Sequence, residues 1–184
     1  VATAVIFSSV LPAMFGTFVK HHFQRTYDAI LATPVDVEEL VTAEVLWIGL
    51  RSGFYGCAPL LVTIGFGLDP AWCMLLVPIF AFVTACAFAS FGVTVAASAE
   101  KIDQFNYVTT VAVTPLFLVA GTFFPIEGLP DALQVLAQFN PLYHLVELVR
   151  GACFGFESVD MLRLGYLVVF AVGLWRLACN LMQK

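Results

Sequence analysis

The sequence predicts an all-α fold, a polytopic bundle of membrane-crossing helices. Three observations carry that expectation. Of 184 residues, 61% are hydrophobic and 11% charged, whereas a soluble domain carries about 25% charged residues. Several apolar runs reach the roughly 20 residues that a helix needs to cross a hydrocarbon core about 30 Å thick. Runs such as MLLVPIFAFVTACAFASFGV (74–93) also lack the strict alternation of a transmembrane β-strand.

The elements follow in order. Residues 1–19 are a span or the end of one. Val1 already lies in an apolar run, with no basic segment or cleavage site of a signal peptide, so the chain reads as lacking an N-terminal piece. Residues 20–41 are polar but patterned: Phe23, Tyr27, Ile30 and Leu31 recur at helical spacing. Pro34 interrupts that helix. Asp36 with Glu39 then has the form of a capping box opening the next one. Spans at about 42–67 and 72–97 are joined by a turn at Asp69-Pro70, and AEKIDQF (99–105) leads into a fourth, about 105–124. A last span covers about 161–181. The expected total is about five spans in a single transmembrane domain, 1–184.

Lys and Arg in short loops mark the cytoplasmic side. Lys20, Arg25, Lys101, Arg176 and Lys184 fall on one side, Arg150 and Arg163 on the other. The first side is therefore cytoplasmic, and GTFFPIEGLP (121–130) lies outside.

The stretch after that sequence is unusual. DALQVLAQF (131–139) puts Leu133, Leu136 and Phe139 on one helical face, and Asn140-Pro141 restarts the chain with a good N-cap and a proline suited to the first helical position. Each helix is too short to span, so residues 125–155 read as a re-entrant hairpin dipping into the outer leaflet. His144, Glu147 and Arg150 form one polar stripe. It lacks the ligands of a metal site. It is either the wet face of an interfacial helix, with Glu147–Arg150 as an i, i+3 pair, or a proton relay.

Arg51 is the one intramembrane charge, about two turns inside the second span. Trp47 and Glu44 are its expected partners, by cation–π contact and by snorkelling. Gly49-x-x-x-Gly53, with Ala81, Ala85 and Ala89 in the third span, predicts close helix packing. The five cysteines show no metal or redox spacing and read as small hydrophobes. No basic tract suits nucleic acid. Neither a phosphate-binding loop nor a hydrolase motif is present, so the chain is not expected to be an enzyme. An ion-coupled transporter or channel and an intramembrane enzyme are the competing classes. The first would carry repeats interrupted in both halves, the second a polar set converging at one depth.

The order of features resembles the ABC-2 family of ABC-transporter permeases. The residues concerned are YDAILATPVDVEELVTAEVLW (27–47), LFLVAGTFFPIEGLP (116–130) and FNPLYHLVELVRG (139–151). The likeness is nearest the branch holding nodulation lipo-chitooligosaccharide exporter permeases and daunorubicin-resistance drug exporters. It implies six spans, of which five are present here, in a bacterial inner membrane. It further implies a coupling segment that docks on a separate ATP-binding subunit, through Arg25, Tyr27, Asp28, Thr33, Pro34, Asp36 and Glu39. The outer hairpin would close the exit, through Phe123, Phe124, Pro125, Asn140, Pro141, His144 and Glu147. ATP and Mg would bind the partner subunit and no cofactor this chain. A second permease subunit and an amphiphilic substrate (lipo-oligosaccharide, glycolipid or hydrophobic drug) complete the expected partners.

Overall fold

The computed structural model describes residues 1–66, 72–122, 134, 137–154 and 158–183, without the side chains of Asp28, Ser158 and Val159. Every regular element among them is helical. In order these are α1 (Ala2–Phe18), continued by a π-helical turn (Val19–Phe23), α2 (Thr26–Leu31) and α3 (Val37–Gly65). A 3₁₀ turn (Trp72–Leu76) leads into α4 (Val77–Ser98). Then come α5 (Gln104–Val108), a second π turn (Thr109–Val113), α6 (Thr114–Leu118), α7 (Pro141–Phe154) and α8 (Ser158–Met182).

Among the described residues, four helical stretches are long and apolar enough to cross a membrane: Ala2–Phe23, Val37–Gly65, Trp72–Ser98 and Asp160–Met182. They match four of the five expected spans. The fifth, expected at 105–124, is shorter in its described part. Gln104–Leu118 is one helical rod about 22 Å long at about 1.5 Å per residue. The π turn accompanies the Thr114 hydroxyl, which donates to the Thr109 carbonyl at 2.9 Å. The rod stops before Gly121, whose φ of 75° lies in the left-handed region that glycine enters without strain.

α4 is the hub, packing on α1, α3 and α8. The close approach is built from small residues. Ala81, Ala85 and Ala89 are fully buried. A methyl group added at Gly49 would collide with Cys86 Sγ, and one at Gly92 would come within 2.5 Å of Ala13 Cβ and 2.9 Å of the Val10 carbonyl. Lipid supplies no hydrophobic drive for helix association, so the bundle depends on such contacts. Two buried hydroxyls are satisfied within their own helices: Ser9 donates to the Val5 carbonyl at 2.6 Å and Thr84 to that of Phe80 at 2.8 Å.

The predicted hairpin is described only in its second half. α7 lies against α4 and α8 and buries Pro141, Leu142, Leu145, Leu148 and Ala152 along one face. Of the preceding segment, only Gln134 and residues 137–139 fall among the described residues, and Phe123, Phe124 and Pro125 do not.

Candidate functional site

Two regions carry the predicted site residues, one at each end of the bundle. The inner one begins where α1 passes through its π turn. Arg25 then takes φ 47°, a left-handed conformation that costs a non-glycine residue about 1–2 kcal/mol. The chain turns there into α2. Beneath the turn, Tyr27 is 3% exposed. Burial, with the Glu44 carboxylate nearby, pushes its pKa up to about 12, so it stays a neutral phenol. The Glu44 carboxylate takes both its hydrogen bonds from Lys20 Nζ, at 2.7 and 2.8 Å, joining the end of α1 to α3.

Beyond α2 the Thr33 hydroxyl donates to the Ile30 carbonyl at 2.5 Å, and the Val35 amide to the Thr33 carbonyl at 2.7 Å. These bonds wind the chain around Pro34. The expected capping box then forms, with the Asp36 amide donating to the Glu39 carboxylate at 3.4 Å. Arg25, Thr33, Pro34, Asp36 and Glu39 are all exposed, whereas Tyr27 faces inward. Phe23 and Leu31 are exposed as well, at 69% and 40%. Helical periodicity had grouped them with Tyr27, yet the left-handed turn at Arg25 separates Phe23 from that face.

α3 is further tied to the end of the chain. Trp175 Nε1 of α8 donates to the Thr42 hydroxyl at 3.0 Å, and Thr42 in turn donates to the Glu38 carbonyl at 2.5 Å. The partners of Arg51 differ from those expected. Its guanidinium lies over the Tyr55 ring at 5.8 Å, while Glu44 is engaged by Lys20 and Trp47 is 62% exposed. Arg51 therefore lies on the outer surface of α3, one turn from an aromatic face on the side away from Trp47.

At the other end, Asn140 caps α7 as its sequence implies. Its Oδ1 accepts from the Leu142 amide at 2.9 Å, and its Nδ2 donates to the Leu116 carbonyl near the end of α6 at 2.6 Å. His144 Nε2 donates to the Gln138 carbonyl at 2.8 Å, which puts the proton on that nitrogen. Its ring lies 4.4 Å from that of Tyr166, whose hydroxyl donates to the Phe139 carbonyl at 2.7 Å. Burial, with the Arg163 charge acting in the same sense, lowers the His144 pKa. His144 is thus half-buried, with its ring packed against Tyr166 between α7 and α8.

Glu147 and Arg150 do pair, at 2.9 Å. The sequence pattern missed what joins them. Arg163 of α8 reaches Glu147 at 3.5 Å and Asp160 at 2.8 Å, and Arg150 also donates to the Gly121 carbonyl at 3.3 Å. Asp160 is 2% exposed. It packs so near Gly151 that an added methyl there would come within 2.5 Å of its Oδ2. The available signal was the i, i+3 spacing of Asp160 and Arg163 at the start of the last span, which helix-surface pairing rules would flag.

The ABC-2 type transporter family matches residues 1–154. The chain belongs to that family. Nodulation protein J of Sinorhizobium fredii is 32% identical over 187 aligned residues, covering all of this chain and 71% of that protein. Nodulation protein J of Rhizobium leguminosarum bv. trifolii is 30% identical over the same coverage. The inner membrane transport permease YadH of Escherichia coli K12 is 25% identical, covering 97% of this chain and 68% of YadH. No solved structure matches. This ABC-2 chain is thus a transmembrane permease subunit of an exporter, multi-pass in the inner membrane, whose family works with an ABC ATP-binding subunit.

Proposed function

We propose that the chain docks on a separate ATP-binding subunit through Arg25–Glu39 and closes the outer end of an export path with α7. The observation that carries this reading is the contrast between exposure and support at the inner end. Arg25, Thr33, Pro34, Asp36 and Glu39 are presented outward together with Phe23 and Leu31, on a base held by Lys20–Glu44 and Trp175–Thr42. A surface of that kind suits a groove with both polar and apolar walls. ATP and Mg belong to the partner subunit, and hydrolysis there drives this chain only if the closed partner favours one permease conformation over the other. Two permease subunits then enclose the path, and an amphiphile such as a lipo-oligosaccharide, a glycolipid or a hydrophobic drug is the class moved. The ion-coupled alternative would draw on Arg51 and the His144 stripe for coupling, and would carry interrupted helices in both halves. Arg51 stacks on Tyr55 in α3, and His144 belongs to the hairpin, so the two are on separate elements.

Co-purification tests the reading. The full-length protein, tagged and extracted in mild detergent, is expected to bring down a P-loop ATPase at equal stoichiometry, identified by mass spectrometry. A preparation that remains free of ATPase under gentle crosslinking would refute the docking assignment.

A further inference from the structure

The last helix touches both candidate regions, and the sequence assigned it nothing beyond crossing the bilayer. α8 is a continuous helix of 25 residues, about 37 Å long. Its polar ties lie at its two ends. In its outer turns Arg163 is held between Asp160 and Glu147, and Tyr166 holds Phe139. Near its inner end Trp175 donates to Thr42 in the second turn of α3, and Ala178 and Cys179 share a buried cluster with Val41 and Val45 of the same helix. Thr42 lies three residues beyond Glu39, the last residue of the proposed docking segment.

Between these ties the surface is plain. Residues 167–174 are LVVFAVGL, with no hydrogen-bonding side chain. This stretch packs toward α4 beside an apolar cavity of about 120 Å³ lined by Phe88, Phe91, Leu116, Pro141, Phe170 and Leu174, among others. Apolar helices with small residues between them can shift by small sliding motions, and the cavity gives Phe170 and Leu174 room to move. A helix gripped by polar contacts at both ends and smooth between them moves as a unit.

We propose that α8 is the rod linking the docking segment to the outer hairpin, with Trp175 and Thr42 as its inner catch and Arg163 as its outer one. Trp175, Thr42 and Arg163 are positioning residues in this scheme. The inference rests on the docking and gate reading above. Movement of α3 on ATP binding draws on Trp175, α8 follows, and Arg163 carries Glu147 and α7 with it.

The test uses the full-length permease with its ATP-binding subunit in lipid nanodiscs, with the five native cysteines replaced. A single reporter, Val149→Cys on α7, is labelled with a membrane-impermeant maleimide, with and without a non-hydrolysable ATP analogue and Mg. The labelling rate is expected to respond to the analogue. Trp175→Phe, which removes the Nε1 donor together with part of the indole, and Thr42→Val, which keeps its shape but loses both the Trp175 bond and the bond to the Glu38 carbonyl, are expected to shrink that response roughly fivefold. Arg163→Ala should do the same and Arg163→Lys restore most of it, with the ATP-binding subunit retained throughout. An undiminished response in Trp175→Phe and Thr42→Val overturns the rod and leaves the docking and gate reading standing. A reference protein whose labelling ignores the analogue overturns the gate reading and the rod together. Loss of the ATP-binding subunit from Trp175→Phe alone makes that residue a folding or docking element and also overturns the rod.

Discussion

The inner and outer ends of this permease treat their polar groups in opposite ways. At the inner end Arg25, Thr33, Pro34, Asp36 and Glu39 stand exposed, and the Lys20–Glu44 pair is half open to solvent on its lysine side. At the outer end Glu147, Asp160 and Arg163 are turned toward one another between α7 and α8, and Asn140 ties the start of α7 to the Leu116 carbonyl of α6. A surface that a partner will cover leaves its hydrogen-bonding groups free for the partner. A closure that must hold without a partner satisfies its own. On the docking reading proposed above, the difference marks the inner end as the one completed from outside the chain.

The sharpest way to break this comparison is at the inner end. Pro34→Ala combined with Asp36→Lys removes the chain stiffener and the N-cap carboxylate, and sets a cation against the helix dipole. Substrate-stimulated ATP hydrolysis in the reconstituted complex should fall by roughly tenfold or more, given about 1 kcal/mol for the cap alone and further loss at the docking surface. Membrane insertion should be unchanged. Normal coupling would mean that the segment docks nothing.

A second contrast concerns stability. Arg163→Ala strips the guanidinium from the buried Asp160 carboxylate and should cost about 3 kcal/mol, read as a lower midpoint of thermal unfolding in detergent. Lys20→Ala breaks a pair that is 38% exposed on its lysine and should cost less than about 1 kcal/mol. Equal midpoints for the two variants would erase the distinction between the ends. Gly92→Ala, which drives a methyl into Ala13 and the Val10 carbonyl, should cost about 1–3 kcal/mol. Gly165→Ala, with open space around it, should leave the midpoint unchanged or raise it.

The smallest effect is one of pH. The folded protein lowers the His144 pKa below its ordinary 6.5 through burial. The unfolded chain therefore binds the proton more readily, and stability falls as pH drops below about 6.5 until the folded pKa is passed. Hydrogen exchange of α7 amides, corrected for the intrinsic pH dependence, should show weaker protection at pH 5.5 than at pH 7.5, and His144→Gln should flatten the difference. A slope unchanged in that variant would separate His144 from the α7–α8 contact.

Much of this was legible in the residues. Long apolar runs, sparse charge and the Asp36/Glu39 and Asn140-Pro141 signatures led to the helices and their starts, because caps and hydropathy are local properties. The expected fifth span is described as helix from Gln104 to Leu118, and its π turn and the left-handed Gly121 depend on backbone conformation that hydropathy does not report. The partners of Arg51 were misassigned because Glu44 has a competitor, Lys20, 24 residues away. Asp160 and Arg163 were read only as charges near a helix start. Their meeting with Glu147 requires α7 to fold back on α8.

The sequence by itself determined that this chain lives in a bilayer as helices and which family it belongs to. Those follow from transfer free energy and motif order, both of which survive without coordinates. Tertiary structure alone decided that Tyr27 is buried while Phe23 and Leu31 are exposed, that the His144 ring packs against Tyr166, and that α8 contacts both α3 and α7. Each of these depends on which helices approach closely enough for distant side chains to meet, as Lys20 and Glu44 do 24 residues apart and Thr42 and Trp175 do 133 apart.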